Sequence, residues 1–243
     1  LDVLSQDVRP LWHEWLEAQG SGAKLSAFYT SVLGKPYTAE GSGVTAKNLA
    51  DTATAAPIDA AGSSNLQYET VVAGIDVGSR LLHVNVSVVS KTQDETQQRT
   101  GRFVGTVTSF EEAYDLLVRY SVGVCVIDSR PEVRKAQELR DKCLDSGICD
   151  VWLCQFHPTE RIGKEDYGMR LDWGMRVVTV DRTQLLDATM DDMRYDPPRK
   201  LFPEDVWHVD GWQDQMTAPR RVLNDRGEKY IWDEGNADDH YRF

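Results

Sequence analysis

The spacing of apolar and polar positions divides this chain into two parts. From Val8 to Leu16 the apolar residues Leu11, Trp12, Trp15 and Leu16 recur at helical spacing, which predicts a short amphipathic helix. Leu25–Leu33 continues the helical reading until Gly34-Lys35-Pro36 breaks it. Residues 39–66 are rich in Ala, Gly, Ser and Thr with few large apolar side chains, and read as a linker or loosely packed excursion. A different pattern then begins. Thr70–Asp76 is a buried-type strand ending in an acid, with a turn at Val77-Gly78-Ser79. Leu82–Val89 alternates apolar with polar residues, as a half-buried strand does. Lys91–Arg99 reads as a polar hairpin loop, and Gly101–Thr108 as a returning strand.

Helical periodicity follows. Ser109 caps Phe110–Tyr120, with Glu112 completing a capping box. Gly123–Ile127 is a short apolar strand that runs into Asp128. Pro131 stands at a favoured first-turn position for a helix that closes at Ser146-Gly147. Cys149–Phe156 and Val177–Val180 read as strands, and Thr183–Arg194 as an amphipathic helix ended by Pro197-Pro198. Trp207–Met216 has helical spacing, and Lys229–Trp232 is a last short strand. The order β-β-β-α-β-α-β predicts an α/β fold, a mixed sheet with helices on both faces.

Composition adds boundaries to this picture. The chain has 243 residues, 41% hydrophobic and 27% charged, as an ordinary globular protein does. No apolar run is long enough for a membrane helix, so a membrane partner is not expected. The N-terminus has neither the basic start nor the apolar core of a signal peptide, and its lack of Met suggests a piece of a longer protein. Cys125, Cys143, Cys149 and Cys154 show no C-x-x-C pair and read as buried free thiols in a reducing compartment. The formal net charge of −12 argues against a protein wrapped in nucleic acid, since phosphate neutralisation supplies most of such affinity. It leaves room for a carboxylate cluster with a local basic patch.

Candidate chemistry lies in acids at element ends: Asp76, Asp128 and the pair Asp238-Asp239. Neighbouring strands lie about 4.8 Å apart, so acids at adjacent strand ends converge. Such a cluster is costly without a cation, and hard oxygen donors select Mg²⁺ or Mn²⁺. Two such ions about 3.5–4 Å apart serve phosphodiester hydrolysis. Each acid also has an ordinary role. Asp128 suits a helix cap, Asp76 suits turn amides, and Asp238-Asp239 suits a helix N-terminus. Singly those roles prevail; taken with the strand order, the site reading prevails.

Gly74-Ile75-Asp76-Val77-Gly78, followed by strand, hairpin and strand, resembles the opening of the ribonuclease H superfamily. Val124-Cys125-Val126-Ile127-Asp128 resembles its second acidic strand. The ending from Tyr230 through Gly235-Asn236-Ala237-Asp238-Asp239-His240-Tyr241-Arg242-Phe243 resembles the C-terminal Asp-His-Tyr helix of phage terminase large subunits. Phe28-Tyr29 with Leu33-Gly34-Lys35-Pro36-Tyr37 resembles the end of a terminase ATPase domain. The resemblance implies a ribonuclease H-like fold, with residues 1–66 ending an ATPase domain and linker and 67–243 forming a nuclease domain. It implies an endodeoxyribonuclease that cuts concatemeric double-stranded DNA during viral packaging in the host cytoplasm. By it, Asp76, Asp128 and Asp239, with Asp238 as substitute or fourth, hold two divalent cations. The implied partners are DNA, the ATPase domain of the same protein, the small terminase subunit and the portal. No Walker A sequence occurs, so the motor itself is absent.

Arg80 and Arg130 are the candidate phosphate contacts, with Arg134 and Lys135 nearby; solvated surface is the default for each. Lys91 and Arg99 flank the hairpin loop. Among histidines, His240 neighbours the acid pair, while His157 and His208 read as loop or strand-end residues. Trp152, Trp173 and Trp207 fit core packing better than base stacking. A rival reading takes Gly74–Ser79 as the first phosphate loop of the actin and sugar-kinase superfamily, but no second phosphate loop or Gly-Gly adenosine contact follows. A module that binds DNA or a portal without cutting is the other alternative.

Overall fold

The computed structural model describes residues 9–18, 28–33, 43–58, 70–91, 97–157, 169–223, 230–233 and 241. Two compact units share the chain: Leu1–Gly43 with Arg220–Asp233, and Val44–Pro219 with Glu234–Phe243.

In the smaller unit, α1 (Arg9–Ala18) forms where the helical spacing predicts it. Trp12 and Trp15 stack at 4.8 Å, and Leu11, Trp12 and Leu16 are exposed. Within the expected helix over Leu25–Leu33, Phe28–Val32 forms a five-residue π-helical turn, and residues 25–27 lie outside the described residues. Strands β10 (Arg220–Leu223) and β11 (Tyr230–Asp233) pair antiparallel as a separate ribbon. The last strand read from the sequence therefore does not join the main sheet.

The larger unit holds a nine-stranded sheet. Its elements are α2 (Ala46–Thr52), β1 (Ala53–Ala55), β2 (Thr70–Val77), β3 (Leu82–Lys91), β4 (Gln97–Val107), α3 (Phe110–Arg119), β5 (Val124–Asp128) and α4 (Val133–Ser146). Then come β6 (Asp150–Phe156), β7 (Met169–Asp172), β8 (Val177–Val180), α5 (Arg182–Arg194), β9 (Lys200–Pro203), a 3₁₀ turn (Val206–His208) and α6 (Trp212–Thr217). The strand order is β1-β9-β4-β3-β2-β5-β6-β8-β7. β3 runs antiparallel to β2 and β4, whereas β2, β5, β6 and β8 are mutually parallel. The centre, β4-β3-β2-β5-β6, is the meander-then-crossover arrangement that the ribonuclease H resemblance implies.

Side chains alternate across this sheet. Ile75, Val77, Val84, Cys125, Ile127, Val151 and Leu153 share one buried cluster with Ala113 and Leu117 of α3 and Ala136, Leu139 and Cys143 of α4. Each large apolar side chain fully buried there contributes about 1.5–3 kcal/mol. Ser109 accepts the Glu112 N–H at 3.1 Å, while the Glu112 carboxylate reaches back to Thr108 rather than to the cap residue. α4 ends at Gly147, whose φ of 66° is the left-handed conformation glycine tolerates. The opposite side of the sheet carries Phe202 of β9 against Trp212 of α6, with ring centroids 5.3 Å apart.

Several local expectations are corrected. Residues 44–55 are not a loose excursion: Val44, Leu49 and Thr52 are buried, and β1 pairs with β9. Their helix starts with a capping box between Thr45 and Asn48, which leaves few large side chains to advertise it. Pro131 is not in the first helical turn, since α4 begins at Val133 with Glu132 as its cap. Helical spacing from Trp207 to Met216 is interrupted at Gly211, where φ is 69°. Arg99 lies inside β4 opposite Val89 and pairs with Asp192, so it does not flank an open loop. Lys91 ends β3 opposite Gln97 and is exposed. Trp152 is buried, but Trp173 is 66% exposed and Trp207 39%. All four cysteines are buried free thiols, as expected. Among the described residues no helix is long and apolar enough to cross a membrane.

Candidate active site

β2 and β5 are parallel neighbours with Ile75 opposite Ile127. The next residue on each strand is therefore an acid, and Asp76 and Asp128 stand side by side on the face turned away from α3 and α4. This is the consequence of a two-residue period: Ile75 and Ile127 enter the apolar core, so their successors cannot. Asp76 is buried at 6% exposure and faces His83 across β2 and β3. Beyond it the chain turns through Gly78, whose N–H donates to the Leu81 carbonyl at 3.0 Å. A Cβ on Gly78 would come within 2.8 Å of that carbonyl oxygen, so the tight turn requires glycine.

Asp128 does not cap the following helix. Its Oδ1 accepts the Arg130 N–H at 2.9 Å within the strand-to-helix connection. Burial raises its pKa above the ordinary carboxylate value; the Arg130 N–H opposes the rise, and the Asp76 charge adds to it. Arg130 and Arg182 are the cations that pull it back down. On the third strand, Cys154 lies opposite Asp128. Burial pushes its thiol up to about 12, with Asp128 and then Asp76 adding to the rise. Cys154 is therefore a neutral wall of the site rather than a nucleophile. Ser129, also buried, donates its N–H to the Cys154 carbonyl at 3.1 Å and fixes the exit from β5.

Arg182 is the residue the sequence reading missed. It opens α5 directly after the β8 strand end, with Asp181 as N-cap accepting the Gln184 N–H at 3.0 Å. β8 is parallel to β6, so the start of α5 falls at the same end of the sheet as the acids. A basic residue at the first helical position, one N-cap residue past an apolar strand, was the available signal.

Arg80 is exposed on the β2–β3 turn and lines two clefts. One, about 240 Å³, also takes in Ser109, Glu132 and Lys135. The other, about 470 Å³, includes His83, Thr106, Asp210, Gln215 and Tyr241. Tyr241 meets the His83 ring edge-on at 4.9 Å. Burial, then the nearby Asp210 charge, pushes the Tyr241 hydroxyl up to about 12. Arg130 and Arg134 are exposed, and Lys135 pairs with Glu132 at 2.7 Å. His157 sits at a strand end, where its N–H donates to the Val180 carbonyl, and His208 is exposed in the 3₁₀ turn.

Asp238, Asp239 and His240 lie outside the described residues. Among the described residues no group of three or more His, Cys, Asp or Glu side chains gathers to hold a metal ion. The Asp76–Asp128 pair nonetheless fits a divalent cation by donor chemistry: hard oxygens, partly desolvated, with mutual repulsion that a cation relieves.

No family model and no curated protein matches this sequence. Among solved structures the chain is similar to a mutant nuclease domain of the large terminase subunit gp2 of bacterial virus Sf6, with manganese and β-thujaplicinol. Identity is 14% over 94% of this chain and 93% of that one, with a TM-score of 0.44. It is also similar to the large terminase of the HK97 bacteriophage, at 11% identity and a TM-score of 0.41. That alignment covers 97% of this chain and 49% of the other, so this chain spans about half of its length.

Proposed function

We propose that this chain is a divalent-metal-dependent endodeoxyribonuclease, the DNA-cutting part of a phage terminase large subunit. The observation that carries the reading is the pair Asp76 and Asp128, set side by side at the same end of adjacent parallel strands. The sequence resemblance at both acidic strands and at the Asp238-Asp239 ending supplies the family.

In this reading Asp76 and Asp128, with Asp239 or Asp238, hold two Mg²⁺ or Mn²⁺ ions. When bound, such ions supply an activated water and stabilise the leaving oxygen in phosphodiester hydrolysis. The protein's own residues bind and orient. In this reading Arg130 and Arg182, whose charges act on Asp128, hold backbone phosphates, and Arg80, exposed on the β2–β3 turn, is a further phosphate contact. The Arg130 N–H fixes one oxygen of Asp128 and so aims the other. Cys154 and Ser129, both buried, hold the end of β5 to β6 beside Asp128 through the Ser129 N–H to Cys154 carbonyl bond. The substrate is concatemeric double-stranded DNA cut with little base preference, leaving a 3′-hydroxyl and a 5′-phosphate. A net charge of −12 assigns most of the duplex grip to partners: the ATPase domain, the small subunit and the portal.

The test is plasmid nicking with Mn²⁺, Mg²⁺, Ca²⁺ or EDTA on wild type, Asp76→Ala and Asp128→Ala. Cleavage with Mn²⁺ or Mg²⁺ that disappears in both variants is expected. Folded protein that neither cleaves nor binds Mn²⁺ in calorimetry would sink the reading and leave a non-catalytic DNA- or portal-binding module.

A further inference from the structure

The nine-stranded sheet ends on β7, and among the described residues nothing pairs with its outer edge. All four of its residues are exposed, on both faces. Met169 is 45% exposed and Leu171 40%, and the turn that follows adds Trp173 at 66% and Met175 at 59%. Open strands of this kind are templates for pairing and are usually blunted by charge, by proline or by a cover. β7 has no proline, and its charges have an unusual arrangement. Met169-Arg170-Leu171-Asp172 places one cation and one anion symmetrically about a leucine.

That arrangement is self-complementary. If two copies pair antiparallel with Leu171 opposite its counterpart, Arg170 of each strand falls directly opposite Asp172 of the other. Side chains directly opposite in an antiparallel pair share a face, so both ion pairs form on one face and the leucine pair on the other. Met169 then lies beside position 173 of the second copy, where the exposed Trp173 stands. A pairing slipped by one residue would set Arg170 against Leu171 and lose both ion pairs. Among the described residues Arg170 has no ion-pair partner, and the Asp172 carboxylate accepts a single bond, from the Met175 N–H to Oδ1 at 2.9 Å. Both charges are thus available for the cross-strand contact.

We propose that β7 is a homodimer edge, joining two sheets across a two-fold axis through Leu171. The pairing is isologous, each copy giving and receiving the same contacts. The axis runs perpendicular to the sheet, so both copies present Asp76 and Asp128 on the same side of the joined sheet. The proposal stands whether or not those acids cut DNA. A four-residue strand makes a small interface, so the dimer is weak and concentration-dependent.

Sedimentation equilibrium of the 243-residue chain, from about 10 μM to about 1 mM, reads this directly. Wild type should move from 27.4 kDa towards twice that mass. Arg170→Asp and Asp172→Arg should each stay monomeric, because each sets like charges opposite one another. Their equimolar mixture should dimerise again, since the all-acidic strand of one meets the all-basic strand of the other. Asp172→Asn, which keeps an acceptor for the Met175 N–H, should weaken the wild-type dimer at least tenfold, separating charge from turn geometry. Wild type at 27.4 kDa throughout overturns the proposal. So does a dimer that Arg170→Asp and Asp172→Asn leave intact, or one that the mixture fails to restore.

Discussion

The two sides of the central strands differ more than the strands differ from one another. On β2 and β5, Ile75 and Ile127 are buried at 1% and 0% under α3 and α4. One residue further on, Asp76 and Asp128 face the other way. The covered side is apolar throughout and tolerates no charge. The other side carries the buried or half-buried charged groups Asp76, Asp128 and, on β9 opposite Arg99 of β4, Lys200. The α3–α4 face packs one apolar cluster; the other also buries Phe202 and Trp212 but carries electrostatic cost as well, and such cost is what a ligand can release.

The largest effect expected from breaking this contrast is on the covered side. Leu117→Ala removes a fully buried side chain between α3 and the sheet and should lower stability by about 2–5 kcal/mol, read from denaturant midpoints. Metal binding per folded molecule should not change.

On the other side, Lys200 is 7% exposed, and burial, with Arg99 adding, lowers its pKa from 10.5 to about 7. The unfolded chain binds the proton more tightly between those values. Stability therefore rises with pH from about 7 towards 10.5, and below about 7 the full penalty is present. Lys200→Met should raise stability at pH 6 by at most about 3–5 kcal/mol and flatten that slope, as thermal melts across pH would record.

Ser109→Ala removes the N-cap of α3 and should cost about 1 kcal/mol, measured in the same melts. Such a loss involves neither face specifically and calibrates the others.

The smallest effect concerns Asp128. Its carboxyl pKa is raised, so the folded state holds the proton more tightly than the unfolded chain. Stability without metal should increase as pH falls from the folded value towards the ordinary carboxylate range. Asp128→Asn should abolish that slope. A slope unchanged in the variant would mean that Asp128 is solvated and the contrast between faces overstated.

Much of the central sheet was legible because short apolar runs and, in β3, period-two alternation report burial directly. Thr70–Val77, Leu82–Lys91, Val124–Asp128 and Asp150–Phe156 all lie where the pattern sets them. β7 and β9 were not legible: four-residue strands at or near an edge carry too few alternations to stand out. The helix Ala46–Thr52 was missed because its capping box uses Asn48 instead of Glu or Gln and Leu49 is the one large apolar side chain it buries. For the candidate site, an acid closing each of two apolar strands was readable. The contribution of Arg182 was not, because 54 residues separate it from Asp128 (182 minus 128) and only the parallel pairing of β6 with β8 brings them to one end.

The sequence by itself determined which residues are apolar, which side of each strand they take, and therefore that Asp76 and Asp128 leave the core where Ile75 and Ile127 enter it. These are local consequences of a two-residue repeat and the cost of burying charge. Tertiary structure alone decided that β2 and β5 are neighbours in that register, that Arg182 arrives beside Asp128, and that Lys200 is buried beside Arg99. Strand order and helix placement depend on contacts between distant segments, and no short window of residues encodes the partner that a strand edge will find.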